Sequence, residues 1–191
     1  MSTPQVVTMR VGQGFDIHTF STDRHRPLVI GGVTIAGSPG LAGHSDADVL
    51  AHALADALLG AAGLGDLGNH FPDDDPAWAG ADSTQLLAKV VDRVAEAGFG
   101  PVNADCTVIA EQPRLAPHLP AMRRRLTEIL SSPVNVKATT SEGIGPIGNA
   151  EAIAALAVVL VRQRRSDGGS SRTSSRAEVQ PGSAIPSESA R

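Results

Sequence analysis

The stretch DVLAHALADALLGAA constrains this chain more than any other. Val49, Leu50, Ala53, Leu54, Ala57 and Leu58 recur at three- and four-residue spacing, which an α-helix gathers on one face. Asp48, His52 and Asp56 recur one turn apart on a second stripe, roughly opposite the apolar one. Ser45 followed by Asp48 has the form of a capping box, so the helix is expected to begin near Asp46. A helix this apolar needs a layer to pack against.

The flanking segments supply that layer by changing their apolar period. MRVGQGFDI reads as a strand, and PLVIGGVTIAG as a hairpin turning at Gly31 and Gly32, where positive φ costs little. DSTQLLAKVVDRVAEAG repeats the helical pattern and stops at Gly98. Next come a strand across VNADCTVIAEQ, a helix across PHLPAMRRRLTEIL, a strand at VNVKAT and a last apolar helix at AEAIAALAVVLV. This order predicts an α+β domain, a mixed β-sheet with helices packed largely on one face. The run Arg123, Arg124, Arg125 is read as a solvated helix face.

Composition limits what such a domain can be. Its 191 residues suit one domain. Aromatics are only 3%, so the core must come from Ala, Val, Leu and Ile, and further burial in an oligomer would help stabilise it. A net charge of -4 gives no basic footprint for nucleic acid. No apolar run approaches the ~20 residues that span a bilayer. MSTPQVVT lacks the apolar region of a signal peptide, so the expected location is the cytoplasm. The single cysteine, Cys106, has no partner for a disulfide within its own chain and reads as a small buried hydrophobe. From Gln163 onward the chain is rich in Ser, Gly, Pro and Arg, a composition that cannot offset ordering entropy. The expected division is a short extension at 1–8, a domain at 9–162 and a disordered tail at 163–191.

The candidate chemistry starts at GFDIH. On a strand Asp16 and His18 project to the same side while Ile17 points away. Alone the pair would be an ordinary hydrogen-bonded couple. With His52 it offers one carboxylate and two imidazoles, a zinc ligand set that leaves the fourth position open as catalytic sites do. His44 and Ser45 precede the helix, whose free amides suit a phosphate. KATTSEG adds hydroxyls at Thr139, Thr140 and Ser141 for phosphate oxygens, and a carboxylate at Glu142 for a hard cation such as magnesium.

In order and spacing, GFDIH, HSDADVLAHALADALLGAAGLGDLGNHFPDDDP, ADCTVIAEQPRLAPH and VNVKATTSEGIG resemble the motifs of the 2-C-methyl-D-erythritol 2,4-cyclodiphosphate synthases. The resemblance covers nearly all of residues 9–162. It implies a homotrimer with active sites at subunit boundaries. The implied reaction converts 4-diphosphocytidyl-2-C-methyl-D-erythritol 2-phosphate to the cyclic diphosphate with release of CMP, in non-mevalonate isoprenoid synthesis. Carried over by position, Asp16, His18 and His52 hold zinc, with Ile17 beside them at the substrate. His44 and Thr140 stabilise the transition state, and Ser45 contacts phosphate. Asp66, Leu67, Gly68, Phe71, Pro72, Asp73, Asp74 and Asp75 surround the methylerythritol end. Ala110, Arg114, Leu115 and Ala116 look like the cytosine site, completed across the interface by Thr139, Thr140, Ser141 and Glu142. Glu142 helps hold a second cation, magnesium or manganese. A carboxylate that accepts from the other ring nitrogen can orient a metal-bound imidazole, and Asp48 and Asp56 both flank His52.

One stretch departs from the family. GPIGNAE places Pro146 and Asn149 where a Phe and an Arg commonly border a cavity on the trimer axis. An amide carries no charge for bidentate phosphate pairing, so weak or absent capture of isoprenoid diphosphates is expected there. Two rival functions differ in their products. A metal-dependent phosphohydrolase would release a linear or inorganic phosphate. A zinc-stabilised interaction module would unfold on chelation and turn nothing over, and such structural sites usually close all four positions.

Overall fold

The computed structural model describes residues 7–72 and 74–164. Strand β1 (Met9–Thr19) leads into a hairpin of β2 (Pro27–Ile30) and β3 (Val33–Pro39). Helix α1 (Val49–Ala62), the one-turn α2 (Leu67–His70), a 3₁₀ turn at Pro76–Trp78 and α3 (Ser83–Glu96) follow. The chain continues through β4 (Phe99–Ile109), α4 (Leu119–Leu130), β5 (Val134–Thr139), the one-turn α5 (Gly145–Gly148) and β6 (Ala152–Gln163). The main sheet has the order β1-β6-β4-β5, with the hairpin as a separate two-stranded sheet. Strand β6 runs antiparallel to both neighbours while β4 and β5 are parallel, so the sheet is mixed and the domain α+β as expected.

The last element corrects the sequence reading: AIAALAVVLV is a central strand, not a helix. Ile153, Ala155, Ala157, Val159 and Val161 are fully buried on the side facing the helices, and Val158 is 47% exposed on the other. Because both faces of this strand are apolar, the period of two is hidden in the sequence, and its alanines mimic a helix. Gln163 still pairs with Phe99, and the Arg164 amide donates to the Gly98 carbonyl. The expected tail otherwise lies outside the described residues, as does most of the expected N-terminal extension.

Helix α1 also starts later than its capping box suggested. Asp48 is the N-cap, and its carboxylate accepts from the amides of Leu50 and Ala51 at 3.1 and 3.0 Å. It also accepts from Gly31 and Gly32 in the hairpin turn, at 2.8 and 2.7 Å. One buried carboxylate therefore caps the helix and pins β2–β3 to it, so Asp48 is no member of a surface stripe. The Ser45 hydroxyl accepts instead from the Ala47 amide. Both turn glycines have positive φ, as the hairpin reading requires.

The position of α1 depends on two glycines of β1. A Cβ on Gly12 would lie 1.9 Å from the Ala57 carbonyl oxygen, and one on Gly14 would lie 1.9 Å from that of Ala53. The helix backbone thus rests directly on the strand backbone. Nearly all of α1 is buried between the sheet, the hairpin and α3. Helix α4 covers β5, and Arg123, although exposed, donates from Nε and Nη2 to the Val136 carbonyl at 2.9 and 2.6 Å. Cys106 is buried as expected, and burial pushes its thiol up to about 12. The opposite face of the sheet carries Val11, Phe15, Ile17 and Val158, with Val11 67% and Phe15 52% exposed. Among the described residues no helix is long and apolar enough to cross a membrane.

Gly14→Ala is expected to lower stability by about 1–3 kcal/mol or more, because backbone and not a flexible side chain must yield. A shift of the denaturant midpoint within error of zero would show that the helix can back away freely.

Candidate functional site

The close packing of α1 on β1 brings three metal-compatible side chains together. Asp16 Oδ2 lies 3.1 Å from His18 Nε2 and 3.1 Å from His52 Nδ1. One ligand atom from each residue falls within 4.8 Å of the others. The two imidazoles meet edge to face with centroids 5.6 Å apart. A carboxylate oxygen and two imidazole nitrogens at this separation fit a small divalent cation of the zinc type, with a position left open.

The electrostatics of the cluster agree with that fit. Burial pushes the Asp16 carboxyl up, but the hydrogen bonds and charges of His18 and His52 outweigh it and hold the carboxyl far below the ordinary range. Burial pushes the His52 imidazole down, yet its hydrogen bond to Asp16 and the charges of Asp16, Asp48 and Asp46 lift it above its ordinary value. The Asp16 carboxylate is thus held in its charged form at the point where a cation would bind.

The far side of the His52 ring meets hydroxyls and not the flanking carboxylates considered from the sequence. Nε2 lies 2.8 Å from Ser83 Oγ and 3.2 Å from Ser45 Oγ. Asp56 instead accepts from the Leu67 amide at 2.7 Å. Burial raises the Asp56 carboxyl against the pull of that amide.

A cavity of about 260 Å³ opens on the cluster. Asp16, His18 and His52 form its metal-competent wall, beside Gly43, His44, Ser45 and Asp56. Leu67, Gly68, Phe71, Trp78 and Leu86 complete the lining with apolar groups. Asp66 caps α2 by accepting from the Asn69 amide at 2.9 Å, and so presents Leu67 and Gly68. Phe71 meets Trp78 edge to face at 5.0 Å, with Arg93 over the Phe71 ring and Lys89 over Trp78. His44 Nε2 lies 3.3 Å from the Asp75 carbonyl, and Asp75 caps the 3₁₀ turn through the Ala77 amide. Pro72 and Asp74 lie on the loop that follows Phe71, and Asp73 is outside the described residues. Ile17 contributes only backbone on this side, since its side chain belongs to the open face. The sequence reading missed Gly43, Trp78, Leu86, Ser83 and Asp46. Trp78, the lone tryptophan, follows an acidic loop and was the one signal available.

The remaining predicted residues gather elsewhere in the same chain. Glu111 Oε1 accepts from the Ser141 and Gly143 amides at 2.9 and 3.2 Å, tying the loop after β4 to the loop after β5. Thr140 Oγ1 donates to Glu142 at 2.8 Å, and Thr139, Thr140 and Glu142 are all exposed. Ala110 and Leu115 are buried in the loop after β4, where Arg114 and Ala116 are exposed. Pro146 lies in α5 and Asn149 caps it. One row of register runs Ile17, Ala154, Ile109, Thr139, so both groups occupy the same end of the sheet. They stand at opposite edges, three strand spacings or roughly 14 Å apart.

Comparison with known proteins places this geometry. The model of the YgbB family matches residues 9–162. The 2-C-methyl-D-erythritol 2,4-cyclodiphosphate synthase of Symbiobacterium thermophilum is 55% identical over 159 residues, which is 82% of this chain and 100% of that protein. The bifunctional IspDF of Campylobacter jejuni superposes with a TM-score of 0.78 at 43% identity, covering 83% of this chain and 43% of that longer one. The Plasmodium falciparum IspF in complex with CDP gives 0.71 at 29% identity, covering 82% and 97%.

For the metal-free protein the two shifts have opposite signs. Asp16, depressed, contributes stability above about 3.9 that is lost as pH falls; His52, raised, contributes stability below about 6.5 that is lost as pH rises. The melting temperature of chelator-treated protein should therefore decline as pH rises above about 6.5, and His52→Ala should remove the decline. The same variant should lose most of its metal by elemental analysis. Full metal retention in His52→Ala would remove His52 from the ligand set.

Proposed function

The chain belongs to the YgbB family, and on that premise we infer that it converts 4-diphosphocytidyl-2-C-methyl-D-erythritol 2-phosphate to 2-C-methyl-D-erythritol 2,4-cyclodiphosphate and CMP. It is a phosphorus–oxygen lyase of non-mevalonate isoprenoid synthesis. The observation that carries this reading beyond the match is the convergence of Asp16, His18 and His52 in the wall of a cavity lined also by hydroxyl, imidazole and apolar groups.

An oxygen of the 2-phosphate forms a bond to the β-phosphorus while the bond from that phosphorus to the bridging oxygen of CMP breaks. The substrate carries its own nucleophile, so no water is consumed and the protein's task is positioning and charge neutralisation. His44, steadied by the Asp75 carbonyl, and Ser45 offer donors to phosphate oxygens on the metal side. Phe71, Trp78 and Leu67 give the methylerythritol carbons an apolar wall that keeps water from competing. Asp16, His18 and His52 would hold zinc and Glu142 would help hold magnesium or manganese, and such cations would supply charge withdrawal from the phosphates. The loops at Ala110–Ala116 and Thr139–Glu142 take the cytidine end, a reading supported by the CDP bound to the Plasmodium relative.

These loops belong to a neighbouring copy in a homotrimer. Two observations support the assembly: the separation of the two half-sites across one sheet, and the apolar open face carrying Val11, Phe15, Ile17 and Val158. Asn149 leaves the trimer axis without the guanidinium groups that would capture an isoprenoid diphosphate.

Incubation with the cytidyl substrate, followed by phosphorus NMR, is expected to show the cyclic diphosphate and CMP. A linear or inorganic phosphate product would replace this reading with a phosphohydrolase. Phe15→Asp should convert the trimer to monomer in sedimentation velocity and abolish turnover with it. An active monomer would show that one chain holds the whole site.

A further inference from the structure

We propose that Ser83 and Asp46 are positioning residues for His52, forming a carboxylate-anchored hydroxyl that holds the ring's Nε2 proton and so presents Nδ1 to the metal. This rests on the reading of Asp16, His18 and His52 as metal ligands. Ser83 opens α3 and is 1% exposed, while Asp46 lies in the loop before α1. Both polar groups of Ser83 turn to Asp46. Its amide donates to Oδ2 at 3.2 Å, and its hydroxyl donates to Oδ1. An ionised carboxylate only accepts, and a serine has a single hydroxyl proton, so that proton is committed to Asp46. Ser83 Oγ, 2.8 Å from His52 Nε2, can then only accept from the ring. Nε2 must carry the hydrogen, and Nδ1 is left facing Asp16 and His18.

The arrangement opposes a competing preference. Asp16 Oδ2, 3.1 Å from His52 Nδ1, by itself favours a hydrogen on Nδ1, which is the tautomer that cannot bind a metal there. The chain from His52 through Ser83 to Asp46 favours the other tautomer. Ser45 Oγ, at 3.2 Å from Nε2, cannot replace it, because the Ser45 hydroxyl proton is committed to no carboxylate and can turn toward either neighbour. Metal-bound imidazoles generally donate their second N–H to a partner of this kind, and losing that partner weakens metal binding roughly 10–100-fold.

The test compares the parent protein with Ser83→Ala and the near-isosteric Asp46→Asn, using zinc competition against a chelator and nitrogen-15 NMR of the His52 ring. In zinc-loaded parent protein the retained hydrogen should sit on Nε2, an observation that needs no variant. Ser83→Ala should weaken zinc roughly 10–100-fold and, in metal-free protein at alkaline pH, move hydrogen from Nε2 toward Nδ1. Asp46→Asn should give a smaller change in the same direction. A parent ring protonated at Nδ1, or zinc affinity and tautomer unchanged in both variants, would overturn the proposal. Should the ligand reading itself be wrong, His52→Ala would keep its zinc; should only the positioning role be wrong, His52→Ala would lose zinc while Ser83→Ala would not.

Discussion

The contact between the α1 backbone and the paired glycines of β1 sets the geometry on which the rest of the structure depends. With no Cβ at Gly12 or Gly14, the carbonyls of Ala53 and Ala57 rest on the strand, and the next outward residues of β1 on that side are Asp16 and His18. His52 occupies the adjoining turn of the helix, so its ring reaches them. A helix held at the usual distance by side chains would leave the imidazole short of the carboxylate. Asp48 holds the N-terminus of the same helix by engaging the amides of Leu50, Ala51, Gly31 and Gly32. The cluster is thus a by-product of backbone packing along the helix and of a buried cap one turn before His52.

Much of this was legible because it is written in local periods. Period two in GFDIH places Asp16 and His18 on one side, and period 3.6 places His52 on the helix, so two short-range rules suffice to nominate three ligands. The failures have equally local causes. Strand β6 is apolar on both faces, which erases the alternation that would identify it, and its alanines suit helix and strand sequences alike. The Ser45–Asp48 pair has the spacing of a capping box, but the hairpin turn captures Asp48 from a distance in sequence that no local pattern reports. Ser83 and Asp46 could not be read at all, since 37 residues separate partners that meet only after α3 has docked beside α1.

The two groups of candidate residues stand on opposite edges of the sheet. The metal-competent wall belongs to the β1 edge, and the hydroxyl and carboxylate loops belong to the β5 edge. Glu111 stabilises the second group internally by holding the backbone of Ser141 and Gly143. That second group is therefore ordered by contacts within its own chain, which lowers the ordering cost of any ligand it takes. Between the two groups, the sheet face that carries Val11, Phe15, Ile17 and Val158 is apolar and exposed.

Strand β6 has a consequence for the way the protein is made. Among the described residues it is the last element in sequence, yet it sits between β1 and β4 and is the strand that β1 pairs with in the main sheet. During synthesis the first strand must wait, with its apolar residues unpaired, until about 150 further residues have been translated. At ~5–20 residues per second that is a delay on the order of ten seconds to half a minute. The edge that carries Asp16 and His18 can close only when the strand after α5 emerges. Ribosome stalling anywhere between β4 and β6 would release a chain with Asp16 and His18 in place in sequence and no sheet to hold them.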